Sequence, residues 1–558
     1  MLIYTADFET HASIKNMKEE ITGVWLWDIC DIELYKHYTG ETLDSFIEKC
    51  FELSPCIIYF HNLKFDGIFI LDYLLKNGFV HTYNKLQSKE FTTLITDQGL
   101  FFSITVCFKA GNKKKKYTVE FRDSAKKING SVERIAESYN LPFEKGIIDY
   151  TADRSNHKIT QDEITYIQKD TEIIARVLNI LYSQGMDKIT TSSDTYNLYK
   201  KTVGVHYKYI FPVLPLEIDD YVRNSYRGGV CQVNEDIQGI WQNEDHIYDI
   251  NSMYPFQMCT KKLPYGIPIY YKGKYTKDNK YNLYIQRVRV NCKLKNGYRP
   301  TVLKNNCKWI DKNYLIDTDM EIEELTLTSV DLALLLKHYE IFDIQYIDGY
   351  KFLSSNKLFK HYIEPIYKRK CETNGAEKET EKLKLNGLYG KLAENPIHGK
   401  KEPYLNENGI IQFKATPVEI TKPKYTAVSS FITAYAREQL FTTIQNNIDI
   451  FLYCDTDSVH LKKPIKNAEI DSIKLGAWKC ETKNKRVINS CYLAPKSYML
   501  IFEDGTKEIK LAGCPDIVKN QMTKELFTYG STFNGKLIPK RVKGGTILYP
   551  TTFTIKER

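Results

Sequence analysis

The stretch LYCDTDSVH, Leu452 to His460, sets two aspartates one residue apart in a run that otherwise reads as a buried strand. Side chains at i and i+2 of a strand share a face, so Asp455 and Asp457 are expected side by side, with Thr456 on the other face. Two ionised carboxylates that close repel each other, and burying either one unpaired is costly. A divalent cation between them removes the conflict; a strand end or an Asx turn also accommodates such a pair without a metal. Other acids sit in similar places. Asp7 and Glu9 form D-x-E at the end of the apolar strand LIYTADFE, and Asp249 ends another in HIYDINSMYP. Asp66 opens a helix after the strand CIIYFH, and Asp170 lies in a later helix with Tyr166 one turn before it on the same face.

Asp7, Glu9, Asp66 and Asp170 come from three separate elements, each beside apolar sequence, and together can surround a pair of divalent ions. Carboxylate oxygens suit Mg²⁺ or Mn²⁺. Two such ions about 4 Å apart activate a water and stabilise the leaving oxygen in phosphodiester cleavage, with Tyr166 orienting that water. Taken singly, each acid reads more readily as an ordinary surface acid. Between Asp249 and the DTD pair lies a helix ending KLKLNGLYGK. Along it Lys378, Lys382, Asn386 and Tyr389 fall at steps of four, four and three and make one polar stripe. A basic stripe facing carboxylates suits a nucleoside triphosphate: ammonium groups neutralise phosphates, acids hold metals, and Tyr389 packs on the new base pair. A solvated helix face explains the lysines, but not Tyr389 with Gly387 and Gly390 on the same short segment.

Elements in mixed order must position these residues. VWLWDICD and LYKHY read as strands, ETLDSFIEKCFEL and FDGIFILDYLLKNG as helices, which with the strands above predicts a mixed α/β sheet. KAGNKKKKYTV predicts a hairpin with a lysine-rich, solvated tip, contact with DNA being the second reading. A long helix is predicted from Thr160, where T-x-x-E forms a capping box, to a stop at Gly185, with a domain boundary soon after. At 558 residues the chain exceeds one core and divides into at least two domains. Its 41 tyrosines can pack and also stack on bases or sugars, and a net charge of +9 fits a polyanion partner without demanding one. No uninterrupted run of about 18 apolar residues exists, so no membrane span is expected, and acids arrive too early for a signal peptide. Thirteen cysteines without a C-x-x-C pair argue against a zinc site or disulfide framework and for reduced thiols in a cytoplasm.

DFET, YFHNLKFDG and YIQKD, in this order and spacing, resemble the three proofreading motifs of family B DNA polymerases, most closely the protein-primed branch of the phage phi-twenty-nine type. The resemblance covers nearly the whole chain. It implies an α/β fold: an RNase H-like 3′–5′ exonuclease domain at 1–190, then a polymerase domain at 191–558. Within the latter it implies a palm (191–260 and 427–530), a first insertion (261–358), fingers (359–394), a second insertion (395–426) and a thumb (531–558). By the same resemblance Asp7, Glu9, Asp66 and Asp170 hold the exonuclease metals and Lys145 assists at the scissile phosphate. Thr10, His61, Asn62, Phe65, Phe69, Ser124 and Tyr150 match positions that hold the frayed 3′ end, with helix core the other reading for the two phenylalanines.

Asp249, the backbone of Ile250 and Asp457 match the ligands of two polymerase Mg²⁺ ions (Mn²⁺ substituting), and Asp455 a supporting acid. Tyr254 matches the steric gate against a ribose 2′-hydroxyl; Lys370 and Lys382 match triphosphate ligands, with Asn386 and Tyr389 beside them. Lys378, Lys496 and Tyr498 of PKSY, and Thr433 and Arg437 of TAYAR, match positions that grip DNA. Tyr226, Gly228 and Gly229 of YRGG match a linker motif that balances synthesis against proofreading. The implied partners are primer–template DNA, single-stranded 3′ ends, deoxynucleoside triphosphates and a terminal protein that serves as primer. The chain would then work as a monomer, or a heterodimer with that protein, in the cytoplasm of an infected bacterium. The insertions, including the hairpin PYLNENGIIQF with Asn408-Gly409 at its turn, would contact the priming protein and separate strands. The rivals are a family B enzyme using only nucleic-acid primers and a DNA-binding protein without catalysis. Two departures stand out: Gly387 replaces the family's usual serine, and the segment after PKSY is short.

Overall fold

Alternating apolar strands and amphipathic helices close, in the computed structural model, into one eight-stranded mixed sheet at the N-terminus. Its order is His37–Gly40, Val24–Asp31, Leu2–Thr10, Cys56–Phe60, Lys116–Asp123, Phe101–Ala110, Glu90–Ile95, Val80–His81. The structure describes residues 2–557 except 111–115, 143–147, 150–151, 155–156, 306–312 and 320. Leu2–Thr10 runs parallel to Cys56–Phe60 and antiparallel to Val24–Asp31. One face of the sheet buries Phe8, Phe46, Phe60 and Phe69 under two helices, Leu43–Leu53 and Leu63–Lys76. The other face is covered by the helix Gln161–Ser183 through Ile174, Leu178 and Leu181. The expected capping box starts that helix: the Glu163 N–H donates to Thr160 Oγ1 at 3.3 Å, and the Thr160 N–H to Glu163 Oε2 at 2.9 Å. Gly185, at φ +75, follows its end.

Two sequence expectations shift. LYKHY is a strand only from His37, because Asp31 Oδ1 accepts from the amides of Glu33 and Leu34 and Tyr35 takes φ 53, which turns the chain first. The loop of the hairpin Lys401–Leu405/Ile411–Ala415 is longer than the two-residue turn at Asn408-Gly409. The Asn406 side chain accepts from the amides of Asn408 and Ile410, and only Gly409 has positive φ. The strands flanking the lysine-rich segment pair antiparallel as expected, while its tip lies outside the described residues.

A five-stranded sheet follows, ordered Trp478–Cys480, His246–Ile250, Ser458–Leu461, Phe451–Asp455, Cys231–Val233. It packs on the buried helix Thr426–Asn446. Residues 263–355 add a four-stranded antiparallel sheet of their own. The C-terminal hairpin Thr532–Val542/Gly545–Thr554 returns to the N-terminal unit. There the Thr22 N–H donates to the Lys543 carbonyl at 3.0 Å and the Lys543 N–H to that of Glu20 at 3.1 Å. Gly544, at φ +87, lets the turn approach; a Cβ would lie 2.2 Å from the Thr22 carbonyl oxygen. Every described cysteine is a free thiol, and no described helix is long and apolar enough to cross a membrane.

Two candidate acidic centres

Asp249 is the last residue but one of a strand whose neighbour is Ser458–Leu461, with Asp249 opposite Ser458. The next amide along, that of Ile250, donates to the Asp457 carbonyl at 2.8 Å. The Asp249 carboxyl thus lies within electrostatic reach of Asp457 at the end of this ladder. Burial, then Asp457, pushes the Asp249 carboxyl up to about 7, and burial with Asp455 pushes that of Asp457 up to about 6. The expected continuous strand through DTD is not what holds them. Strand Phe451–Asp455 pairs with Ser458–Leu461, and Thr456 and Asp457 are the hairpin turn between. Thr456 takes φ 56, uncommon for a β-branched residue, so strict alternation ends at Asp455. The two acids part: Asp457 stays beside Asp249, while Asp455 accepts from Lys496 Nζ at 2.7 and 2.9 Å. Gly229 is required at this turn, since a Cβ would lie 2.7 Å from Thr456 Oγ1.

Above the pair, Lys370 Nζ donates to Ser252 Oγ at 2.9 Å. Burial, and behind it the ammonium groups of Lys382 and Lys378, hold Lys370 below its ordinary range, while Asp249 opposes this. Lys370 is thus the link between Asp249 and the Lys378–Lys382 pair, and Lys382 itself meets Glu379 at 3.5 Å. The helix of the polar stripe is two helices: Gly375–Asn386 ends before Gly387, and Leu388–Leu392 carries Tyr389. Tyr389 packs on Tyr254 with ring centroids 4.2 Å apart. Asn386 is exposed at the joint.

At the N-terminus, Asp66 is 4% exposed. Burial, then Asp7 and in lesser measure Glu9, raises its carboxyl well above the ordinary range. Asp7 and Asp170 line one cavity of about 50 Å³ together with His61. Tyr166 is buried one turn before Asp170. Thr10 and Asn62 remain accessible, and Phe65 is half-buried. Asn62 and Phe65 border a larger cavity of about 890 Å³, closed on its far side by Phe413 and by Arg541 and Leu548 of the C-terminal hairpin. Lys145 and Tyr150 lie outside the described residues.

Four of the residues matched to DNA contacts are buried, Phe69 in the helix core that was its other reading. Phe69 is fully buried in the core, its ring against Gly545. Ser124 is fully buried, and its hydroxyl meets His61 Nδ1 at 2.9 Å and donates to the Phe60 carbonyl at 3.1 Å; it positions His61. Arg437 is 2% exposed, with its guanidinium on Asp331 and on the carbonyls of Arg227 and Gly228. It fastens the Tyr226–Gly229 segment from inside. Thr433 is buried and bonded to its own helix. A surface grip by these four would need side chains that the fold has already used. Lys496 is exposed and Tyr498 half-buried, edge-on to Tyr453. Two supports escaped the sequence reading. Asp28, fully buried, accepts from Thr171 at 2.6 Å and Thr39 at 2.8 Å. His460 meets Tyr492 at 2.7 Å behind the DTD turn. No spacing signals either one.

Comparison with known proteins decides the family. A model described as DNA polymerase type B, organellar and viral, matches residues 47–474. The DNA polymerase of Bacillus phage Nf is 38% identical over 580 aligned residues, covering 99% of both chains. That of Bacillus phage phi29 is 37% identical with the same coverage, and that of Streptococcus phage Cp-1 is 35% identical, covering 99% of this chain and 98% of its own. The structure of Phi29 DNA polymerase complexed with primer-template DNA matches with a TM-score of 0.93 at 36% identity, over all of both chains. This chain belongs to the phi29-type family of type B DNA polymerases. It is a template-directed DNA polymerase, and its fold is the α/β exonuclease-plus-polymerase fold of that family.

Type B polymerases use divalent metal ions. Among the described residues, no group of three or more His, Cys, Asp or Glu side chains could hold one by itself. The donor chemistry fits all the same. Asp249 and Asp457 offer hard oxygens whose carboxyls are raised by burial, with Asp457 adding to Asp249 and Asp455 to Asp457, a conflict a cation relieves. Two carboxylates also suffice for Mg²⁺, which keeps places for water and substrate phosphates.

Proposed function

We propose that this polymerase divides its work between the two acidic centres. The Asp249–Asp457 centre extends a primer, the Asp7–Glu9–Asp66–Asp170 centre removes misplaced 3′ nucleotides, and synthesis starts from a hydroxyl of a priming protein. The domain boundaries inferred from the sequence frame this division, with residues 1–190 the exonuclease and 191–558 the polymerase. At the first centre Asp249, Asp457 and the Ile250 backbone would hold two Mg²⁺ ions, or Mn²⁺ in their place; at the second Asp7, Glu9, Asp66 and Asp170 would supply the carboxylates, although as placed they do not form a ready-made metal group. A bound ion supplies Lewis-acid stabilisation of phosphate charge and favours the ionised hydroxyl or water.

The chain's own groups do the rest. Lys370 and Lys382 neutralise the triphosphate, and Lys378 and Asn386 extend that stripe. Tyr389 packs on the nascent base pair, and Tyr254 beneath it closes the space a ribose 2′-hydroxyl would need, so deoxynucleotides are selected. Asp455 keeps Lys496 turned toward the primer end, with Tyr498 beside it. At the N-terminal centre Tyr166 orients water, and Thr10, His61, Asn62 and Phe65 hold the single-stranded end, with aromatic stacking blind to base identity. The partners follow from the family: primer–template DNA, single-stranded DNA and incoming nucleotides appear in structures of the phi29 enzyme.

One observation carries the reading: Asp249, on its strand, stands by Asp457 of the adjoining hairpin turn and by Lys370, with both carboxyls raised. It is tested by primer extension with Mg²⁺, with chelator, and with Asp249→Ala. Extension should require the metal and drop about 10³-fold in the variant, the size expected when a group stabilising transition-state charge is lost. Parental extension by Asp249→Ala overturns the reading. Incubation with a candidate priming protein should attach one deoxynucleotide to it; extension of nucleic-acid primers alone would leave polymerase function and remove protein priming.

A further inference from the structure

Gly387 is a glycine where the backbone does not ask for one. It caps the helix Gly375–Asn386 with φ −79 and ψ −16, right-handed geometry in which alanine is favoured over glycine. The surrounding space supplies the reason. A Cβ there would lie 2.7 Å from Thr195 Oγ1, 2.9 Å from Thr195 Cγ2 and 3.3 Å from the Leu383 carbonyl. Thr195 is in no position to yield. It is fully buried, stiff at χ1 because it is β-branched, and its hydroxyl donates to the Ser192 carbonyl at 3.1 Å.

The helix that carries it, Thr191–Val203, is itself anchored. Asp194, the preceding residue, forms a fully buried ion pair with Lys127 of the N-terminal unit. Lys127 Nζ also donates to the carbonyls of Met186 at 3.0 Å and Lys188 at 2.7 Å, and the Lys188 N–H donates to Asp194 at 2.6 Å. One turn on, Tyr199 stacks on Phe359 at 4.8 Å and donates to the Leu358 carbonyl at 3.0 Å. Thr195 is therefore a fixed wall at the joint between the lysine helix and the short helix that carries Tyr389.

We propose that Thr195 is a positioning residue for the nucleotide site: it fills the space of a side chain at 387 and so sets how the Lys378–Lys382–Asn386 stripe meets Tyr389. Through Asp194 and Lys127 it ties that joint to the N-terminal unit. The proposal rests on reading the Asp249 centre as the nucleotide site. Threonine at 195 and a side chain at 387 exclude each other.

A double-mutant cycle tests it. Gly387→Ala adds one carbon and should raise KM for deoxynucleotides about tenfold, toward the low end of what overpacking a filled site costs, with kcat nearly unchanged. Thr195→Ala removes the two closest atoms that carbon would meet, leaving the Leu383 carbonyl at 3.3 Å, and should shift KM less. The combined variant should return to within about twofold of the parent, the mark of coupled neighbours. Its thermal midpoint should equal or exceed that of Thr195→Ala, because alanine then shows its ordinary helical advantage. A parental KM in Gly387→Ala, or a combined effect equal to the product of the single effects, overturns the proposal. Should Gly387→Ala not fold, Thr195→Ala and the combined variant decide alone, and a combined variant that also fails to fold counts against it. Asp457→Ala, assayed beside them, separates the two ideas: extension surviving there condemns the nucleotide-site reading and leaves the packing pair intact.

Discussion

The two acidic centres use the same side chains and differ in what holds them. Asp249 sits on a strand and Asp457 on the turn that leads into the neighbouring strand, joined by the Ile250 N–H to Asp457 carbonyl bond, so the main chain sets their approach. Asp7 and Glu9, Asp66 and Asp170 come from a strand and two helices, and their approach depends on packing. The helix bearing Asp170 is tied to the sheet by Thr171, whose hydroxyl donates to buried Asp28 and whose carbonyl accepts from Thr5 Oγ1 at 2.8 Å. A ladder-held pair should tolerate loss of a nearby side chain, and a packing-held set should not.

The ladder-held centre has one exception, and it should give the largest effect. Arg437 and Asp331 form a buried ion pair behind the Tyr226–Gly229 segment. Arg437→Ala leaves a carboxylate buried and unpaired, at a cost of about 3–5 kcal/mol. Denaturant unfolding should show that loss, with extension failing at temperatures where single-strand degradation persists; equal failure of both would erase the distinction between the centres. Next in size is Thr171→Val, which strips a donor from Asp28 and should cost about 2 kcal/mol. Degradation should fall about tenfold, the rate equivalent of ~1.4 kcal/mol, with extension unchanged, as read by paired assays on one preparation.

The smallest effect sharpens the electrostatics. The Asp249 carboxyl is raised to about 7 by burial, then by Asp457, against about 3.9 unfolded. At this carboxyl the folded state therefore binds more protons between those values, and without metal its contribution to stability is fullest below about pH 4 and is lost as pH rises toward about 7. In chelator, Asp249→Asn should be more stable than the parent by about 1 kcal/mol at pH 8, with most of that gain gone near pH 5. A difference that does not change with pH would remove the strain assigned to this carboxyl.

The same contrast explains what the sequence made legible. The strands of both acid sets, the capped helix at Thr160 and the stripe through Lys382 follow periodicity and local hydrogen bonding, which are properties of neighbouring residues. The DTD turn escaped because Thr456 takes φ 56, a conformation favoured by packing against Gly229 from a distant segment. Phe69, Ser124, Thr433 and Arg437 carry residue types that suit DNA and burial equally, and only tertiary contacts decide. Asp28 had no signal, since one acid in an apolar strand states nothing about partners at Thr171 and Thr39. Gly387 was legible as a departure, but Thr195 in the space beside it was not.

The most direct measurement sets extension against degradation in two variants of one protein. Asp457→Ala should lose primer extension about 10³-fold while digesting single strands at the parental rate, and Asp7→Ala should do the reverse. An Asp457→Ala protein that extends primers like the parent, or two variants that lose both activities together, would contradict two separate acidic centres.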